Sequence, residues 1–176
     1  MVITLIGYRG SGKSSVARHL AQSLDISWVD SDDVIEEQAG KSIRQIFADD
    51  GEAEFRRLEC DVVRELTSRP SLIIAAGGGA ILAEENRQQM KSSGPVVWLQ
   101  ARAATLADRI QQDDTTADRR PSLTGQSVTE EVVAVLRQRL PLYQDAATNI
   151  VDTEGMTPEQ VTAEIVAQLS AEDDAS

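Results

Sequence analysis

The sequence is poor in cysteine and in aromatic residues. Cys60 is the single cysteine, which excludes an internal disulfide framework and favours a reducing compartment. Aromatic residues make up 3% of the chain, so the core must be built mainly from Ile, Leu, Val and Ala. Such aliphatic cores are usual where helices cover a parallel sheet. These shortages favour an α/β protein without disulfides.

Positive charge is also scarce. The chain has 17 Lys and Arg against 29 Asp and Glu, which gives a formal net charge of −12. Proteins bind nucleic-acid backbones through clustered Lys and Arg, so this balance argues against a nucleic-acid partner. Because exposed charges act over only about 8 Å at physiological salt, a local group of arginines can still bind an anion in a cleft.

No apolar stretch approaches the roughly 20 residues of a membrane span. The longest, 72–83, is interrupted by three glycines. The first predicted strand begins almost at Met1, so we expect no signal peptide and a cytoplasmic protein without a membrane partner. A length of 176 residues suits one domain, and the acidic surface favours a monomer.

What the chain does contain is a glycine-rich motif near its start. Residues 7–14 fit the pattern GxxxxGK[ST] at every fixed position, which disfavours a turn without a ligand. An apolar run precedes them and helical spacing follows, so backbone N–H groups at a helix N-terminus are placed to bind phosphate. Lys13 would reach the outer phosphates, and the Ser14 hydroxyl would bind Mg²⁺. The ATP-binding residues expected here are Gly10, Ser11, Gly12, Lys13, Ser14 and Ser15.

Acidic residues follow the second predicted strand, 26–30. Asp30 ends this strand, and Ser31-Asp32-Asp33 opens a helix. Ligands of open parallel sheets bind at the carboxyl ends of the strands, so Asp30 and Asp32 are candidate site residues. Asp and Ser are also favoured at helix N-termini, so N-capping explains the same pattern, and both interpretations stay open at this point.

A long predicted helix, 52–66, carries Arg56 near its start. Its apolar residues recur at helical spacing and mark a buried face. We expect the acidic residues of this helix to be solvated, and an exposed i,i+4 ion pair with Glu52 is one interpretation of Arg56. The acidic residues concerned are Glu52, Glu54, Glu59, Asp61 and Glu65.

The next buried strand, 71–76, runs into Gly77-Gly78-Gly79, which we call the glycine turn. Three consecutive glycines lose much conformational entropy on folding, and close approach of the backbone to a ligand or a helix would justify them. No carboxylate stands at this strand's end, where many proteins with this phosphate motif hold Mg²⁺. We therefore expect Asp30 to hold the ion through a metal-bound water.

Residues 112–125 form a polar, irregular segment. We expect a mobile lid, because an arginine in such a segment can close onto the transferring phosphate; a solvated linker is the alternative. The long helix that follows should kink or end at Pro141. An acidic tail, 172–176, would follow a single P-loop domain, 1–171.

Strands and helices alternate along the chain, which predicts a three-layer α/β/α sandwich with a parallel sheet of about five strands. In their order and spacing, the motifs resemble those of the shikimate kinase family over nearly the whole chain. Each motif alone is short, but the ordered set behind a complete phosphate motif is specific. The motifs are residues 7–14, Asp30-Ser31-Asp32, Phe55-Arg56, Gly77-Gly78-Gly79, Arg120-Pro121 and Arg139-Leu140-Pro141-Leu142-Tyr143.

The resemblance implies the fold of the nucleoside monophosphate kinases and transfer of the ATP γ-phosphoryl group to the 3-hydroxyl of shikimate, with Mg²⁺ as cofactor and ADP as product. Asp32 would bind shikimate hydroxyls and act as the general base. Arg56 and Arg139 would clamp the shikimate carboxylate through their planar guanidinium groups. The other implied roles are backbone N–H contacts to shikimate from Gly78 and Gly79, adenine stacking by Arg109, and phosphate contact by the lid residue Arg120, with Arg119 as the alternative.

Electrostatic stabilisation should carry most of the rate of such a reaction, because phosphoryl transfer needs positioning and charge neutralisation more than covalent chemistry. The expected catalytic residues are Lys13, Asp32 and Arg120. A second small-molecule kinase class of the same fold, such as gluconate or nucleoside monophosphate kinases, is one alternative. A non-catalytic nucleotide-binding protein is another, although such proteins usually lack a catalytic residue, and all three are present here.

Overall fold

The fold is given by a computed structural model in which residues 1–112 and 127–173 are described, the side chains of 172 and 173 excepted. Within these residues, five parallel strands form one sheet in the order β2-β3-β1-β4-β5. The predicted parallel sheet is therefore confirmed. The strands are β1 (Val2–Ile6), β2 (Trp28–Asp30), β3 (Leu72–Ala75), β4 (Val96–Gln100) and β5 (Asn149–Asp152).

Helices connect the strands and cover both faces of the sheet. Of the helices in the described ranges, none is both long and apolar enough to cross a membrane. A short 3-10 helix, Ala80–Leu82, follows the glycine turn. The α-helices are α1 (Lys13–Leu24), α2 (Ser31–Ala39), α3 (Ile43–Asp49), α4 (Gly51–Thr67), α5 (Glu84–Ser93), α6 (Ala103–Gln112), α7 (Val128–Ala146) and α8 (Pro158–Asp173).

The sheet separates two apolar cores. Val2 and Ile6 of β1 belong to a core that α2, α3, α4, α5 and α7 complete. Ile3 and Leu5 of the same strand belong to the other core, with α1 and α8. Because successive side chains of a strand point to opposite faces, a strand buried on both faces is almost wholly apolar, as β1 is apart from the buried Thr4. The predicted three-layer α/β/α sandwich is confirmed.

The register of the sheet brings three strand ends to one level. Ala75 of β3 is paired with Leu5 of β1 on one side and with Asp30 of β2 on the other. The phosphate loop (residues 7–14), the glycine turn and the start of α2 therefore leave the sheet at the same edge. This edge is the carboxyl end of the strands, where ligands of open parallel sheets bind.

The sequence predicted that α7 kinks or ends at Pro141; the helix continues through this residue to Ala146, so an end at the proline is wrong. A proline inside a helix removes one backbone hydrogen bond and costs about 3 kcal/mol. Beyond it, however, Tyr143 is fully buried in the core, and Asp145 forms an ion pair with Arg87 of α5. Burial of a large side chain contributes about 1.5–3 kcal/mol, so tertiary packing offsets the local loss.

Candidate active site

The phosphate loop has the strand-loop-helix geometry that its sequence predicts. Gly10 and the N-cap residue Gly12 have φ angles of 79° and 89°. These angles lie in the left-handed region, which residues other than glycine rarely adopt. A Cβ atom on Gly10 would also lie 3.0 Å from Ile110 Cγ1, so this glycine lets α6 pack against the loop. The motif therefore fixes both the shape of the loop and its contact with α6.

Lys13 begins α1, and its ammonium group lies against the loop. Nζ donates to the carbonyl oxygens of Gly7 at 2.9 Å and Tyr8 at 3.0 Å, and lies 3.4 Å from Ser11 Oγ. The N-terminus of α1 adds its own partial positive charge at the same place. Side chain and helix together form a site for an anion.

Asp30 contacts two neighbours, one with each carboxylate oxygen. Its Oδ1 accepts a hydrogen bond from the Asp32 backbone N–H at 3.0 Å and so caps α2. Its Oδ2 accepts one from the Ser14 hydroxyl at 2.7 Å. The two interpretations that the sequence left open for Asp30 are therefore compatible, since one oxygen caps the helix while the other faces the phosphate loop.

The oxygen atoms of Ser14 and Asp30 suit a magnesium ion. Mg²⁺ is usually held by one or two carboxylates, with waters and substrate phosphates supplying its remaining oxygen ligands. No cluster of three or more His, Cys, Asp or Glu side chains in the described ranges is arranged to hold a metal by itself. This donor set fits an ion that takes most of its ligands from water and nucleotide.

The first glycine of the turn makes room for α2. A Cβ atom on Gly77 would overlap Asp32 Oδ1, and the Gly77 N–H donates to Ser31 Oγ at 2.8 Å. Ser31 is fully buried, whereas Asp32 is half-buried. The predicted close approach of backbone to a neighbouring helix is present here, and it places the Asp32 carboxylate beside the glycine turn.

The third glycine makes room for Arg56. A Cβ atom on Gly79 would lie 2.5 Å from Arg56 Nη1. The Arg56 guanidinium also lies over the Phe55 ring, with Cζ 5.1 Å from the ring centroid. The ion pair with Glu52 exists at 3.4 Å, but it is the longer of two that this arginine makes.

The shorter ion pair of Arg56 is with Glu59, which the sequence interpretation placed wrongly in solvent. Glu59 is 0% exposed, and its Oε2 accepts from Arg56 Nη1 at 2.7 Å. Its spacing from Phe55 and Val62 puts it on the buried face of α4, and the neighbouring guanidinium compensates its charge. This spacing could have indicated from the sequence that Glu59 is buried, but its acidic side chain favoured a solvated position.

Arg139 reaches the glycine turn from α7. Its Nη1 donates to the Gly78 carbonyl oxygen at 2.9 Å, and the Tyr143 hydroxyl donates to the same oxygen at 3.3 Å. The N–H groups of Gly78 and Gly79 have no hydrogen-bond acceptor within residues 1–112 and 127–173. They are therefore available as donors to a ligand, as the resemblance implied.

The two sides of the cleft meet at Gly78. A Cβ atom there would lie 3.6 Å from the Arg9 backbone nitrogen and 3.7 Å from the Gly7 carbonyl oxygen. The glycine turn thus lies directly against the phosphate loop. Four predicted acceptor-binding residues, Asp32, Arg56, Gly79 and Arg139, are grouped around this contact.

Arg109 lies on the opposite rim of the phosphate loop. Its Nη1 is 3.5 Å from the Gly10 carbonyl oxygen, and its Nη2 donates to the Thr153 carbonyl oxygen at 3.3 Å. The guanidinium therefore bridges the loop and the turn that follows β5. Arg119 and Arg120, and with them the predicted lid, lie outside the described residues.

A polar cluster that the sequence did not predict ties the turn after β5 to α6. Glu154 accepts hydrogen bonds from Arg102 Nη2 at 2.8 Å and Thr105 Oγ1 at 2.6 Å. These hydrogen bonds, that from Arg102 foremost, lower the pKa of Glu154 to about 2. The cluster holds in place the turn that Arg109 contacts.

Comparison with known proteins gives a consistent set of relatives. A model of the shikimate kinase family matches residues 9–170. The shikimate kinase of Rhodopirellula baltica is 48% identical over 162 residues, which cover 92% of this chain and 87% of that protein. The solved shikimate kinase of Acinetobacter baumannii, in complex with shikimate, has a TM-score of 0.90 at 34% identity, with 97% of this chain and 93% of that chain covered.

A kinase for a different acceptor shares only the fold. The solved gluconokinase of Sinorhizobium meliloti has a TM-score of 0.56 and 18% sequence identity, with 97% of this chain and 91% of that chain covered. Identity at this level carries no argument about the acceptor.

Proposed function

The chain belongs to the shikimate kinase family, and from that premise we propose how its residues carry out the family's reaction. This reaction transfers the γ-phosphoryl group of ATP to the 3-hydroxyl of shikimate, a step on the route to chorismate and the aromatic amino acids. The observation that carries the proposal is the contact at Gly78, where a phosphate loop with all its fixed residues faces two arginines and two backbone N–H groups that have no acceptor among the described residues.

We assign the shikimate carboxylate to Arg56 and Arg139. Planar guanidinium groups bind both oxygens of a carboxylate, and these two approach the glycine turn from different helices. Glu59 and the Phe55 ring hold Arg56 in place before any ligand arrives, which lowers the entropy lost on binding. The N–H groups of Gly78 and Gly79 would donate to the same ligand.

Asp32 is the proposed general base. It follows the α2 cap and lies beside the glycine turn, so it can accept hydrogen bonds from shikimate hydroxyls and take the proton of the attacking one. Its contact with Gly77 fixes the carboxylate relative to the phosphate loop. Positioning of the nucleophile supplies part of the rate acceleration in phosphoryl transfer.

The phosphates of ATP are assigned to the phosphate loop from Gly10 to Ser15. Lys13 would leave the loop carbonyl groups for the β- and γ-phosphates. Ser14 and Asp30 would hold Mg²⁺, Asp30 through a water. When bound, the ion neutralises charge that develops on the phosphate oxygens.

Arg109 is proposed to stack on adenine, because it already bridges the loop and the turn after β5. Arg120 is proposed, on the family resemblance alone, as the lid arginine over the phosphates. Comparison of Arg120→Ala with Arg119→Ala tests this assignment. We expect a large loss of kcat from the first and little change from the second; the reverse would give the role to Arg119.

An ADP-release assay with shikimate, gluconate and AMP as separate acceptors tests the function. We expect turnover with shikimate and background rates with the other two. Absence of turnover with shikimate would overturn the proposal, and ATP binding without transfer to any acceptor would indicate a non-catalytic relative.

We also propose a cytoplasmic monomer that binds no nucleic acid. The net charge of −12 supports the last point, since phosphate backbones attract basic surfaces. Light scattering after size exclusion would measure the oligomeric state, and a dimeric mass would contradict it.

A further inference from the structure

Two buried hydroxyl groups, one on α2 and one on α7, hydrogen-bond to the backbone of the glycine turn. Ser31 Oγ accepts the Gly77 N–H at 2.8 Å, and the Tyr143 hydroxyl donates to the Gly78 carbonyl oxygen at 3.3 Å. Both side chains are 0% exposed. Neither belongs to the set of residues assigned above to bind ATP or shikimate.

Each hydroxyl is itself fixed by a rigid element. Ser31 is the first residue of α2, directly after the capping residue Asp30. The Tyr143 ring stacks on the Trp98 ring of β4, with ring centroids 5.2 Å apart and an interplanar angle of 11°. The hydroxyl positions are therefore set by the sheet and by two helices.

The glycine turn needs such restraint. Glycine has more backbone freedom than any other residue, so three in a row lose the most entropy when ordered. The turn must nevertheless present the Gly78 and Gly79 N–H groups in fixed directions if they are to bind a ligand. Ser31 and Tyr143 bond to the Gly77 N–H and the Gly78 carbonyl oxygen, so they restrain the peptide planes of the turn and leave the Gly78 and Gly79 N–H groups for a ligand.

We propose that Ser31 and Tyr143 are positioning residues for acceptor binding: together they set the orientation of the glycine turn and, through the shared Gly78 carbonyl oxygen, the position of the Arg139 guanidinium. This inference rests on the proposed assignment of the glycine turn and Arg139 to shikimate. In this inference Ser31 and Tyr143 do not contact the substrate and do more than fill the core. Ser31 helps to position the site beside Asp32, and Tyr143 helps to position Arg139.

The test uses Ser31→Ala and Tyr143→Phe, each of which removes only a hydroxyl, and the double variant. Thr67→Val is the matched control, because Thr67 is buried and its hydroxyl also bonds to backbone, at the far end of α4. Steady-state kinetics give the KM values for shikimate and ATP separately, and thermal unfolding gives Tm.

We expect the shikimate KM to rise about tenfold in Ser31→Ala, and about threefold in Tyr143→Phe, whose hydrogen bond is longer. The ATP KM should change less than twofold in both variants. The contribution of Arg139 to shikimate binding, measured as the increase in shikimate KM caused by Arg139→Ala, should be smaller in either variant than in the wild-type protein. Thr67→Val should lower Tm with both KM values unchanged.

Equal changes in the two KM values, or a lower Tm with unchanged kinetics as in the control, would overturn the inference. If Ser31→Ala does not fold, Tyr143→Phe alone decides by the same criterion. Failure of the wild-type protein to phosphorylate shikimate would instead overturn the proposed function, so the two failures are distinguishable.

Discussion

The donor and acceptor sides of the cleft are built in different ways. The proposed donor side is centred on one continuous segment, residues 7–14, whose shape depends on backbone conformation at Gly10 and Gly12. A Cβ atom on Gly12 would meet nothing within 4 Å, so its glycine is required by φ and not by space. The chemistry of this side is mainly that of backbone N–H groups, with the Lys13 ammonium added.

The acceptor side is assembled from α2, α4, α7 and the turn after β3. Its glycines have ordinary backbone angles, and two of them are required because side chains of other elements fill the space: Asp32 at Gly77 and Arg56 at Gly79. Local sequence thus determines the donor side, whereas tertiary packing determines the acceptor side. Substitutions on one side should therefore change the kinetic constants for one substrate and leave those for the other nearly unchanged.

The largest effect is expected from Asp32→Asn, which removes the proposed base and leaves the phosphate loop intact. We expect kcat to fall by about 10²- to 10⁴-fold while ATP binding is kept. The exposed neighbour Asp33→Asn is the control and should keep near-normal turnover. Calorimetric titration with ADP measures nucleotide binding, and steady-state kinetics measure kcat. A near-normal kcat in Asp32→Asn would contradict the role assigned to Asp32.

The second-largest effect is expected from Arg139→Ala, which should weaken shikimate binding far more than ATP binding. Hydrogen bonds to charged groups contribute about 1.5–3 kcal/mol, so we expect the shikimate KM to rise about 10- to 150-fold. The ATP KM should change far less. Arg137→Ala, an exposed arginine of the same helix, should leave both values near wild type. Equal effects of Arg139→Ala on the two KM values would contradict the carboxylate clamp.

Two glycine substitutions should each raise the KM of a different substrate. Gly79→Ala displaces Arg56, so we expect a rise of about tenfold in the shikimate KM with little change for ATP. Gly12→Ala strains the phosphate loop by about 1–2 kcal/mol and should raise the ATP KM. Gly51 has a similar φ of 83° and open space around it, so Gly51→Ala controls for backbone strain alone. Loss of ATP affinity in Gly79→Ala would contradict the division.

The smallest effect is expected at the outer rim of the donor side, at Glu154. Its folded-state pKa of about 2 lies below the ordinary 4.5, so its hydrogen bonds stabilise the protein above pH 4.5 and are lost as pH falls towards 2. The Tm difference between wild type and Glu154→Gln should therefore be small at pH 7 and vanish near pH 2. Asp108→Asn is the surface control, and a difference that grows on acidification would contradict this sign.

The sequence predicted the sheet, its layers and the phosphate loop because these depend on short-range patterns. Residue spacing placed Asp30 and Asp32 at a strand end, but only the structure shows that Asp30 caps α2 with one oxygen and contacts Ser14 with the other. Arg56 and Arg139 came from the resemblance, since nothing local distinguishes them from surface arginines.

Other features depend on distant contacts and were missed. Glu59 was taken for a solvated acid because of its charge, although it is buried and pairs with Arg56. Pro141 was expected to kink or end α7, but the helix continues beyond it, where Tyr143 is buried in the core. The Glu154 cluster joins residues about fifty positions apart, which no local pattern reports. In each case, tertiary packing outweighs the local preference.

The level alignment of Leu5, Ala75 and Asp30 also has a consequence for folding. The phosphate loop, the glycine turn and Asp32 each follow this aligned trio by two residues or fewer, so their relative positions are inherited from strand pairing. A slip of one residue would turn every side chain of the slipped strand to the opposite face and so disturb the packing of the cores on both faces of the sheet. Correct packing of both cores therefore requires the register that brings the phosphate loop, the glycine turn and Asp32, the proposed donor and acceptor sites, next to each other.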